Sequence, residues 1–339
     1  MKDQLFGKDL GELKEISANL GLPAYTARQL ADWLYKKEIN SIDEMSNLSK
    51  KTRELLSDKF VFGLISPSKV QISVDGTKKY LFPTFQNKFI ETAMIPEDER
   101  KTVCVSTQVG CKMGCLFCMT GKQGFHGQLT AGEIINQIRS IKEYGEVSNI
   151  VYMGMGEPFD NLDAVLKSLD ILTSDWGYAM SPRRITVSSI GIIPSMLRFL
   201  KECEVHLAIS LNTPFADERT NLMPIQTAYP IADVVHEIKS WDFGRQRRIS
   251  FEYILFKGVN DSQLHVRELV KLLSGVRCRV NLIRFHAVPG SLLSSPDEDM
   301  MNGFRDQLND RGITATIRAS RGQDINAACG LLSTKEIVS

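Results

Sequence analysis

Three cysteines lie close together in the stretch VGCKMGCLFCMTG, which spans residues 109–121. Three residues separate Cys111 from Cys115, and two separate Cys115 from Cys118. Thiolates at this spacing can each reach a separate iron of an iron-sulfur cluster, which normally takes four cysteines. With only three, one iron keeps an open coordination position for a small ligand, as the metal of a catalytic zinc site does.

A zinc site is the main alternative for these thiols, because zinc also binds cysteine. It requires a fourth Cys or His ligand, and the candidate is His126, eight residues after Cys118. Three unligated structural cysteines are a further alternative. The spacing favours the cluster over both.

The composition is that of an ordinary globular protein. The chain has 339 residues, of which 43% are hydrophobic and 24% charged, with a net charge of +1 and seven cysteines. This predicts one large domain, alone or with a small companion. The N-terminus has no apolar signal region, and we find no run of about 18 apolar residues. We therefore expect a cytoplasmic protein with no membrane segment, in which free thiols serve metal binding or chemistry.

The first third of the chain contains two kinds of local pattern. Residues 1–60 carry three helical apolar patterns, in GELKEISANLG, AYTARQLADWLYKK and LSKKTRELLSDKF. Residues 69–95 alternate as strands do, and the dipeptide Asp75-Gly76 within them is a strong hairpin signal. The sequence therefore predicts a helical module followed by a β-hairpin.

Seven candidate strands alternate with amphipathic helical segments after Glu99. They are predicted at 103–108, 150–154, 184–189, 205–211, 249–256, 280–285 and 314–320. Repeated βα units with nearly continuous apolar strands indicate a parallel sheet covered by helices, either a barrel or part of one. Chemistry in such barrels lies at the C-terminal ends of the strands, and the cysteine loop follows the first candidate strand.

The cysteine loop resembles the signature of the radical S-adenosylmethionine (SAM) superfamily, which typically has an aromatic residue before the third cysteine, here Phe117. GMGEP at 154–158 is similar to the SAM-binding strand end of that superfamily. Seven further motifs, in the same order, resemble the RlmN/Cfr family of RNA adenine methyltransferases over roughly residues 70–332. They are CVSTQVGC, TGKQGF, SPRRITVSSIGIIP, LMPI, GVNDS, VNLIRF and QDINAACG.

The resemblance implies an α/β fold with a partial (βα)6 TIM-like barrel of the radical SAM type. It adds a small N-terminal helical domain and a β-hairpin extension. The predicted divisions are a helical accessory domain at 1–68, the hairpin extension at 69–98, the barrel at 99–325 and a C-terminal segment at 326–339.

The resemblance also implies the cofactors and the catalytic residues. A [4Fe-4S] cluster on Cys111, Cys115 and Cys118 would bind SAM at its open iron. Cys329 matches the cysteine that carries the methyl group, and Cys104 matches the thiol that later forms a disulfide with it. Glu91 matches the proton acceptor. The implied SAM contacts are Gly156, Glu157, Ser188, Ser210, Leu211, Asn212 and His286.

Taken without the family, several of these residues have simpler interpretations. Cys104 would be a buried strand cysteine, and Cys329 a packing residue at a helix end. Glu91 would be a solvent-facing strand residue. Two positions depart from the family pattern, which usually has histidine where this chain has Asn212 and asparagine where it has His286.

The implied substrates are 23S rRNA and transfer RNA (tRNA), with an electron donor such as flavodoxin or ferredoxin. TGKQGF and IPEDER resemble the housekeeping branch, which methylates adenine C2. The alternatives are C8 methylation of the Cfr type and a non-catalytic iron-sulfur RNA-binding protein. We expect phosphate contacts from the N-terminal module and from basic residues beside the barrel mouth, especially Arg183, Arg184 and Arg321.

Overall fold

The computed structural model describes residues 2–243, 249–332 and 334. An N-terminal module of three helices opens the chain, as the apolar patterns predict. Asp9 begins the first helix with a capping box, in which its carboxylate accepts from Glu12 N while the Glu12 side chain accepts from Asp9 N. The elements of the module are β1 (Asp3–Gln4), α1 (Leu10–Asn19), α2 (Thr26–Tyr35), α3 (Lys50–Lys59) and β2 (Phe60–Val61).

Three antiparallel strands follow, and the predicted hairpin is confirmed between the first two. Ser73 N donates to Thr77 O at 2.8 Å across the turn that contains Asp75-Gly76. Gly76 has φ +84°, in the left-handed region that suits glycine. The strands are β3 (Lys69–Ile72), β4 (Lys78–Pro83) and β5 (Phe89–Glu97).

The remaining elements are the repeated βα units and one short antiparallel pair of strands. In chain order they are β6 (Arg100–Cys104), β7 (Gln108–Gly110), α4 (Met119–Gln123), β8 (Phe125–Gln128), α5 (Ala131–Arg139), β9 (Asn149–Tyr152), α6 (Leu162–Thr173), β10 (Ile185–Ser189), α7 (Ile193–Glu202), β11 (His206–Ser210), α8 (Ala216–Leu222), α9 (Ile231–Ser240), β12 (Ile249–Leu255), α10 (Gln263–Leu273), β13 (Cys278–Arg284), α11 (Glu298–Asp310) and β14 (Thr314–Ile317). None of these described helices is both long enough and apolar enough to span a membrane.

One ten-stranded sheet organises the molecule, in the order β14-β13-β12-β11-β10-β9-β6-β5-β4-β3. Strands β6 and β9 to β14 are parallel, and the three hairpin strands extend the sheet in antiparallel fashion. The described sheet has β14 at one edge and β3 at the other. The predicted α/β fold with a partial barrel is confirmed, and each of the seven candidate strands corresponds to one of the parallel strands.

The first barrel strand is shorter than predicted. The expected strand covered 103–108, but β6 ends at Cys104. The cause is the side chain of Gln137 on α5, whose Oε1 accepts from Ser106 N at 2.7 Å and whose Nε2 donates to Ser106 O at 2.9 Å. Because a side chain takes both backbone groups of Ser106, the strand ladder stops there and the cysteine loop begins.

Two apolar cores meet at α5 and α6. The larger lies between the sheet and the barrel helices and includes Val103, Ile134 and Val187. The smaller fills the N-terminal module and takes Ile135 and Ile171 from the barrel helices. The backbones touch where these cores meet, since a Cβ on Gly7 would lie 2.3 Å from the Cα of Gly132. The module is therefore packed onto the barrel.

Candidate active site

A cavity of about 200 Å³ opens at the C-terminal ends of the parallel strands. This is the position expected for the reactive site of a βα barrel. The cavity brings together ten of the thirteen predicted site residues. They are Cys104, Cys111, Cys115, Cys118, Gly156, Glu157, Ser188, Ser210, Asn212 and Cys329.

Buried polar contacts hold the start of the cysteine loop. Besides its bonds to Ser106, the Gln137 amide accepts from Thr92 Oγ1 at 2.6 Å. Ser106 Oγ donates to Glu91 O at 2.6 Å and accepts from Met155 N at 2.8 Å. The loop therefore has a fixed origin against the hairpin strand, the first barrel helix and the GMGEP segment.

The GMGEP segment packs directly on the cysteine loop. Gly156 has φ +100°, and a Cβ there would lie 2.6 Å from the Cβ of Gln108, so only glycine fits. Gln108 Oε1 accepts from Glu157 N at 2.8 Å, and its Nε2 donates to Asp160 Oδ2 at 2.7 Å. Asp160 in turn pairs with Lys112, next to the first cysteine of the loop, at 2.7 Å.

Glu157 is a buried carboxylate in the cavity wall, with 3% of its surface exposed. Its two oxygens accept from Phe159 N at 2.9 Å and from Ile190 N at 3.0 Å. Burial raises the pKa of Glu157 to about 7, although hydrogen bonds from Ser189, Phe159 and Ile190 act in the opposite direction. A ligand with a positive charge would stabilise the ionised form at this position.

Cys111 and Cys115 are desolvated, and both interact electrostatically with Cys118. Burial raises the pKa of Cys111 to about 12 and raises that of Cys115 well above its usual range. The charge on Cys118 adds to both increases. A bound metal displaces the protons of such thiols. The donor set therefore suits an iron-sulfur cluster whose irons sit at separate corners.

A single-ion site finds less support in this loop. Among the residues that the structure describes, no three Cys, His, Asp or Glu side chains converge on one metal position. His126, the candidate fourth zinc ligand, instead has its Nε2 3.2 Å from Gln123 O.

Arg219 on α8 is a site feature that the sequence reasoning missed. Its guanidinium is fully buried and donates to the carbonyls of Leu211 at 3.2 Å, Ile190 at 3.0 Å and Ser210 at 3.1 Å. It therefore holds the strand ends that form the cavity wall. Burial lowers the pKa of Arg219 to about 10, while the charge of Cys115 raises it.

Cys104, at the end of β6, and Cys329, near the C-terminus, both line the cavity. Cys104 is 9% exposed and packs with Ala93 and with Ala327, two residues before Cys329. Burial and the neighbouring Cys329 raise the pKa of Cys104 to about 12. Cys329 is accessible because it faces the cavity, but the surrounding protein desolvates its thiolate and raises its pKa.

Arg318 and Glu252 complete this side of the cavity and were also missed. Arg318 follows β14, and its charge lowers the pKa of both Cys104 and Cys329. Its Nη1 lies 3.4 Å from Glu252 Oε2. Glu252 had a signal in the sequence, because it is the one charged residue within the apolar strand segment ISFEYILF.

Three predicted site residues do not line the cavity. Leu211 is buried in the main core. His286 is half-buried, and its Nε2 lies 3.0 Å from Ser320 Oγ. Glu91 is buried on β5, on the same face as Ala93 and Ile95, and its Oε1 lies 3.0 Å from Lys79 Nζ. The solvent-facing interpretation of Glu91 is therefore wrong.

Asn212 adopts an unusual backbone conformation, with φ +60°. Its Oδ1 accepts from Ile254 N at 2.9 Å, and its Nδ2 lies 3.1 Å from Met223 Sδ. Asparagine tolerates left-handed geometry better than most residues. The side chain thus holds the end of β11 against β12 at the cavity wall.

The expected position of two basic residues is wrong. Arg183 and Arg184 were placed beside the barrel mouth, but they lie in the turn Pro182–Arg184 that precedes β10. They are therefore at the amino end of the strand, whereas Ser188 and Ser189 at its carboxyl end line the cavity. Arg321 lies in the C-terminal segment, and its buried Nε has no hydrogen-bond partner in the part of the chain that the structure describes.

Comparison with protein families identifies two matching regions. The model of the Radical SAM superfamily matches residues 105–270, which include the cysteine loop and the GMGEP segment. The model of the Ribosomal RNA large subunit methyltransferase N-terminal domain matches residues 4–61, the helical module.

Individual relatives match over nearly the whole chain. A protein of Parabacteroides distasonis named "Probable dual-specificity RNA methyltransferase RlmN" is 55% identical over 338 residues, covering 100% of this chain and 98% of the relative. The "Dual-specificity RNA methyltransferase RlmN" of Syntrophotalea carbinolica is 43% identical and covers 97% of this chain and 89% of the relative. The crystal structure of a radical SAM methyltransferase from Sphaerobacter thermophilus superposes with a TM-score of 0.91 at 40% identity, covering 97% of this chain and 99% of that one.

Proposed function

The chain belongs to the RlmN family of radical SAM RNA methyltransferases, and from this premise we propose that it methylates C2 of a specific adenine in 23S rRNA and in tRNA. The proposal rests on one observation, that Cys104 and Cys329 line the same cavity as the three loop cysteines. A binding protein would need neither of these two thiols there.

Membership of the radical SAM superfamily gives the chain a [4Fe-4S] cluster and SAM as cofactors. When bound, they supply a methyl group and a 5′-deoxyadenosyl radical that removes a hydrogen atom. Cys111, Cys115 and Cys118 would hold the cluster. For SAM, the buried carboxylate of Glu157 suits the amino group, and Gly156, Ser188, Ser210 and Asn212 line the same cavity. The family resemblance adds Leu211 and His286 to the proposed contacts, although neither lines the cavity in this structure.

The chemistry of adenine C2 requires a radical step. This carbon is electron-poor and has no lone pair with which to attack a methyl group. Cys329 therefore accepts the methyl group first, as its thiolate forms an S–CH3 bond and the donor's sulfonium S–CH3 bond breaks. Loss of one hydrogen atom from that methyl group then gives a carbon radical, which adds to C2 and joins the RNA to the protein. The adduct radical must then give up one electron to a one-electron acceptor and its C2 proton to a base.

Cys104 releases the product. Its thiolate attacks Sγ of Cys329, so that a disulfide forms while the bond from Sγ to the former methyl carbon breaks. The released carbon keeps the electron pair of that bond and takes up a proton, which gives the methyl group. The packing of Cys104 against Ala327 supports this role because it brings β6 to the Cys329 segment. The charge of Arg318 favours both thiolates. A reductant must then restore the two thiols, and the cluster needs an electron donor such as flavodoxin or ferredoxin.

Glu91 is the proposed acceptor for the proton that leaves C2. Its carboxylate lies on the face of β5 that also carries Ala93, the register partner of Cys104. The Lys79 ammonium at 3.0 Å stabilises the ionised carboxylate, which a base requires.

The target base must leave its stack to reach the cavity. RNA recognised by shape, with one exposed adenine, suits such a site. We propose phosphate contacts from the N-terminal module and Arg321, and a cytoplasmic location with the RNA substrates. The proposed divisions of the chain remain 1–68, 69–98, 99–325 and 326–339, the last of which extends beyond the described residues.

Mass spectrometry tests the function in two steps. Tryptic peptides of the purified protein should carry a methyl group on Cys329. RNA from a deletion strain should lack 2-methyladenosine in 23S rRNA and tRNA and regain it on complementation. Unchanged 2-methyladenosine would exclude the assignment, whereas loss of 8-methyladenosine instead would indicate the Cfr-type reaction.

A further inference from the structure

The segment that carries Cys329 follows β14 without joining the sheet. Between Gly322 and Leu332 it contains three residues with left-handed backbone, Gly322 (φ +63°), Asn326 (φ +53°) and Gly330 (φ +83°). One short turn, Gln323–Ile325, is its regular structure. Side-chain and backbone contacts with other parts of the chain must therefore set where Cys329 lies.

The turn between β3 and β4 holds the beginning of this segment. Asp75 Oδ2 accepts from Gly322 N at 2.8 Å, across 247 positions of sequence. The segment also accepts hydrogen bonds from the turn, since the Asp324 carboxylate accepts from Ser73 Oγ at 2.5 Å and from Val74 N at 3.2 Å. Gly322 also packs closely on the turn, since a Cβ there would lie 2.9 Å from Thr77 Cγ2.

The first turn after the cysteine loop holds the end of the segment. Met119 N donates to Gly330 O at 2.8 Å, and Thr120 Oγ1 donates to Leu332 O at 2.7 Å. Cys329 thus lies between two anchors, one on the hairpin and one on α4. Loss of either would leave it attached on one side only.

The Asp75 carboxylate is well suited to a permanent contact. Burial acts to raise the pKa of Asp75, but the N–H groups of Gly322 and Thr77 outweigh it and lower the pKa to about 2. The acceptor is thus ionised at neutral pH, and charge-assisted hydrogen bonds are the stronger kind.

We propose that the β3–β4 turn is a positioning clamp in which Ser73, Asp75 and Asp324 fix the Cys329 segment over the cavity. This rests on the proposed role of Cys329 as methyl carrier. In the described structure no residue of the turn itself lines the cavity, so these side chains act through the segment and touch neither cofactor nor base. Misplacement of a reacting atom by about 1 Å can reduce a rate on the order of a hundredfold.

Alanine variants of the clamp test this in the full-length, cluster-reconstituted enzyme. For Asp75→Ala and Asp324→Ala we expect faster hydrogen–deuterium exchange of peptides covering 322–332. We also expect methylation of Cys329 to slow on the order of tenfold. The cluster absorbance and the dissociation constant of SAM should stay at wild-type values, because the loop and the GMGEP segment are untouched. A general loss of structure would instead lower the cluster absorbance and raise the dissociation constant of SAM as well.

A double-mutant cycle and a matched turn variant sharpen the test. Ser73→Ala combined with Asp324→Ala should be little slower than Asp324→Ala alone, since Asp324→Ala already removes the acceptor of the Ser73 hydroxyl. Asp98→Asn, at the exposed turn between β5 and β6, should behave as wild type. Unchanged exchange in the clamp variants, or faster exchange with an unchanged Cys329 methylation rate, would overturn the clamp. Absence of methyl on Cys329 in the wild type would reject the proposed function, and the exchange data would then decide the clamp alone.

Discussion

The cysteine loop and the C-terminal segment bring thiols to the same cavity, but the protein holds them differently. The loop starts on a buried amide, Gln137, that bonds Ser106 and Thr92, and it continues against Gln108 and the GMGEP segment. The C-terminal segment depends on a few contacts at each end. Its residues Asn326 and Cys329 are exposed.

This difference matches the tasks we propose for the two regions. A cofactor site gains from donors and acceptors that are fixed before the ligand binds. A methyl-carrying cysteine must meet a methyl donor, an RNA base and Cys104 in succession. A segment held at two anchors, with little internal structure between them, leaves the Cys329 thiol exposed to these partners. The clamp variants described above test the anchor on the hairpin.

Removal of the two transfer cysteines should have the largest effect. We expect Cys329→Ala to abolish RNA methylation, because no thiol then carries the methyl group. Cys104→Ala should instead retain RNA covalently on the protein, since nothing attacks Sγ of Cys329. Denaturing gels and product analysis measure both. Cys278→Ala on β13 is the matched control and should turn over normally; free product from Cys104→Ala would contradict the proposed release step.

Removal of the Gln137 side-chain amide, which holds the start of the cysteine loop, should lower the free energy of unfolding. Gln137→Leu deletes four hydrogen bonds and leaves buried polar groups of Thr92, Ser106 and Glu133 without this partner. We expect the free energy of unfolding to fall by about 2–4 kcal/mol, measured by urea denaturation. Gln263→Leu, at an exposed helix position, should change it by less than about 0.5 kcal/mol. Equal effects of the two substitutions would show that the loop does not depend on this amide.

Glu157 should make stability fall as the pH rises. Its pKa is raised from 4.5 to about 7 in the folded chain, so the folded state binds the proton more tightly than the unfolded state does. The carboxyl therefore destabilises the fold progressively between these values, and its cost is complete above about pH 7. In cofactor-free protein, Glu157→Gln should make the loss of unfolding free energy between pH 5 and pH 8 smaller by about 2–3 kcal/mol. An unchanged pH dependence would contradict the desolvated environment of this carboxyl.

His286 should have the smallest effect on SAM binding. Because its side chain contacts Ser320 and does not line the cavity, His286→Ala should raise the dissociation constant of SAM no more than about threefold. Glu157→Gln, which removes a charged acceptor from the cavity wall, should raise it about tenfold or more. Titration of the reconstituted enzyme measures both, and equal losses would show that His286 turns into the cavity when SAM binds.

Local patterns in the sequence were enough to predict much of the fold. The period of apolar residues placed the three N-terminal helices, and Asp75-Gly76 placed the hairpin turn. The apolar strand segments predicted the parallel sheet, because each strand is covered by helices. The prediction failed at 105–107, where the competing partner is the side chain of Gln137, 31 residues after Ser106.

The residues of the candidate site were also only partly predicted from the sequence. Motif resemblance identified the cysteines, and ten of the thirteen site residues that it implied line the cavity. It gave no indication of Arg219 or Arg318, which look like ordinary surface cations in sequence. It also misplaced Arg183 and Arg184, since the distance of a residue from a strand end in space depends on strand direction.

The sequence alone determined the cysteine loop and the family resemblance, because the spacing of Cys111, Cys115 and Cys118 is a property of eight consecutive residues. Only the tertiary structure decided what surrounds them. It paired Glu91 with Lys79, buried Arg219 behind the cavity wall, and joined Ser73 to Asp324 across 251 positions. Such contacts form between side chains that the folded sheet brings together, and no local pattern in the chain encodes that distance.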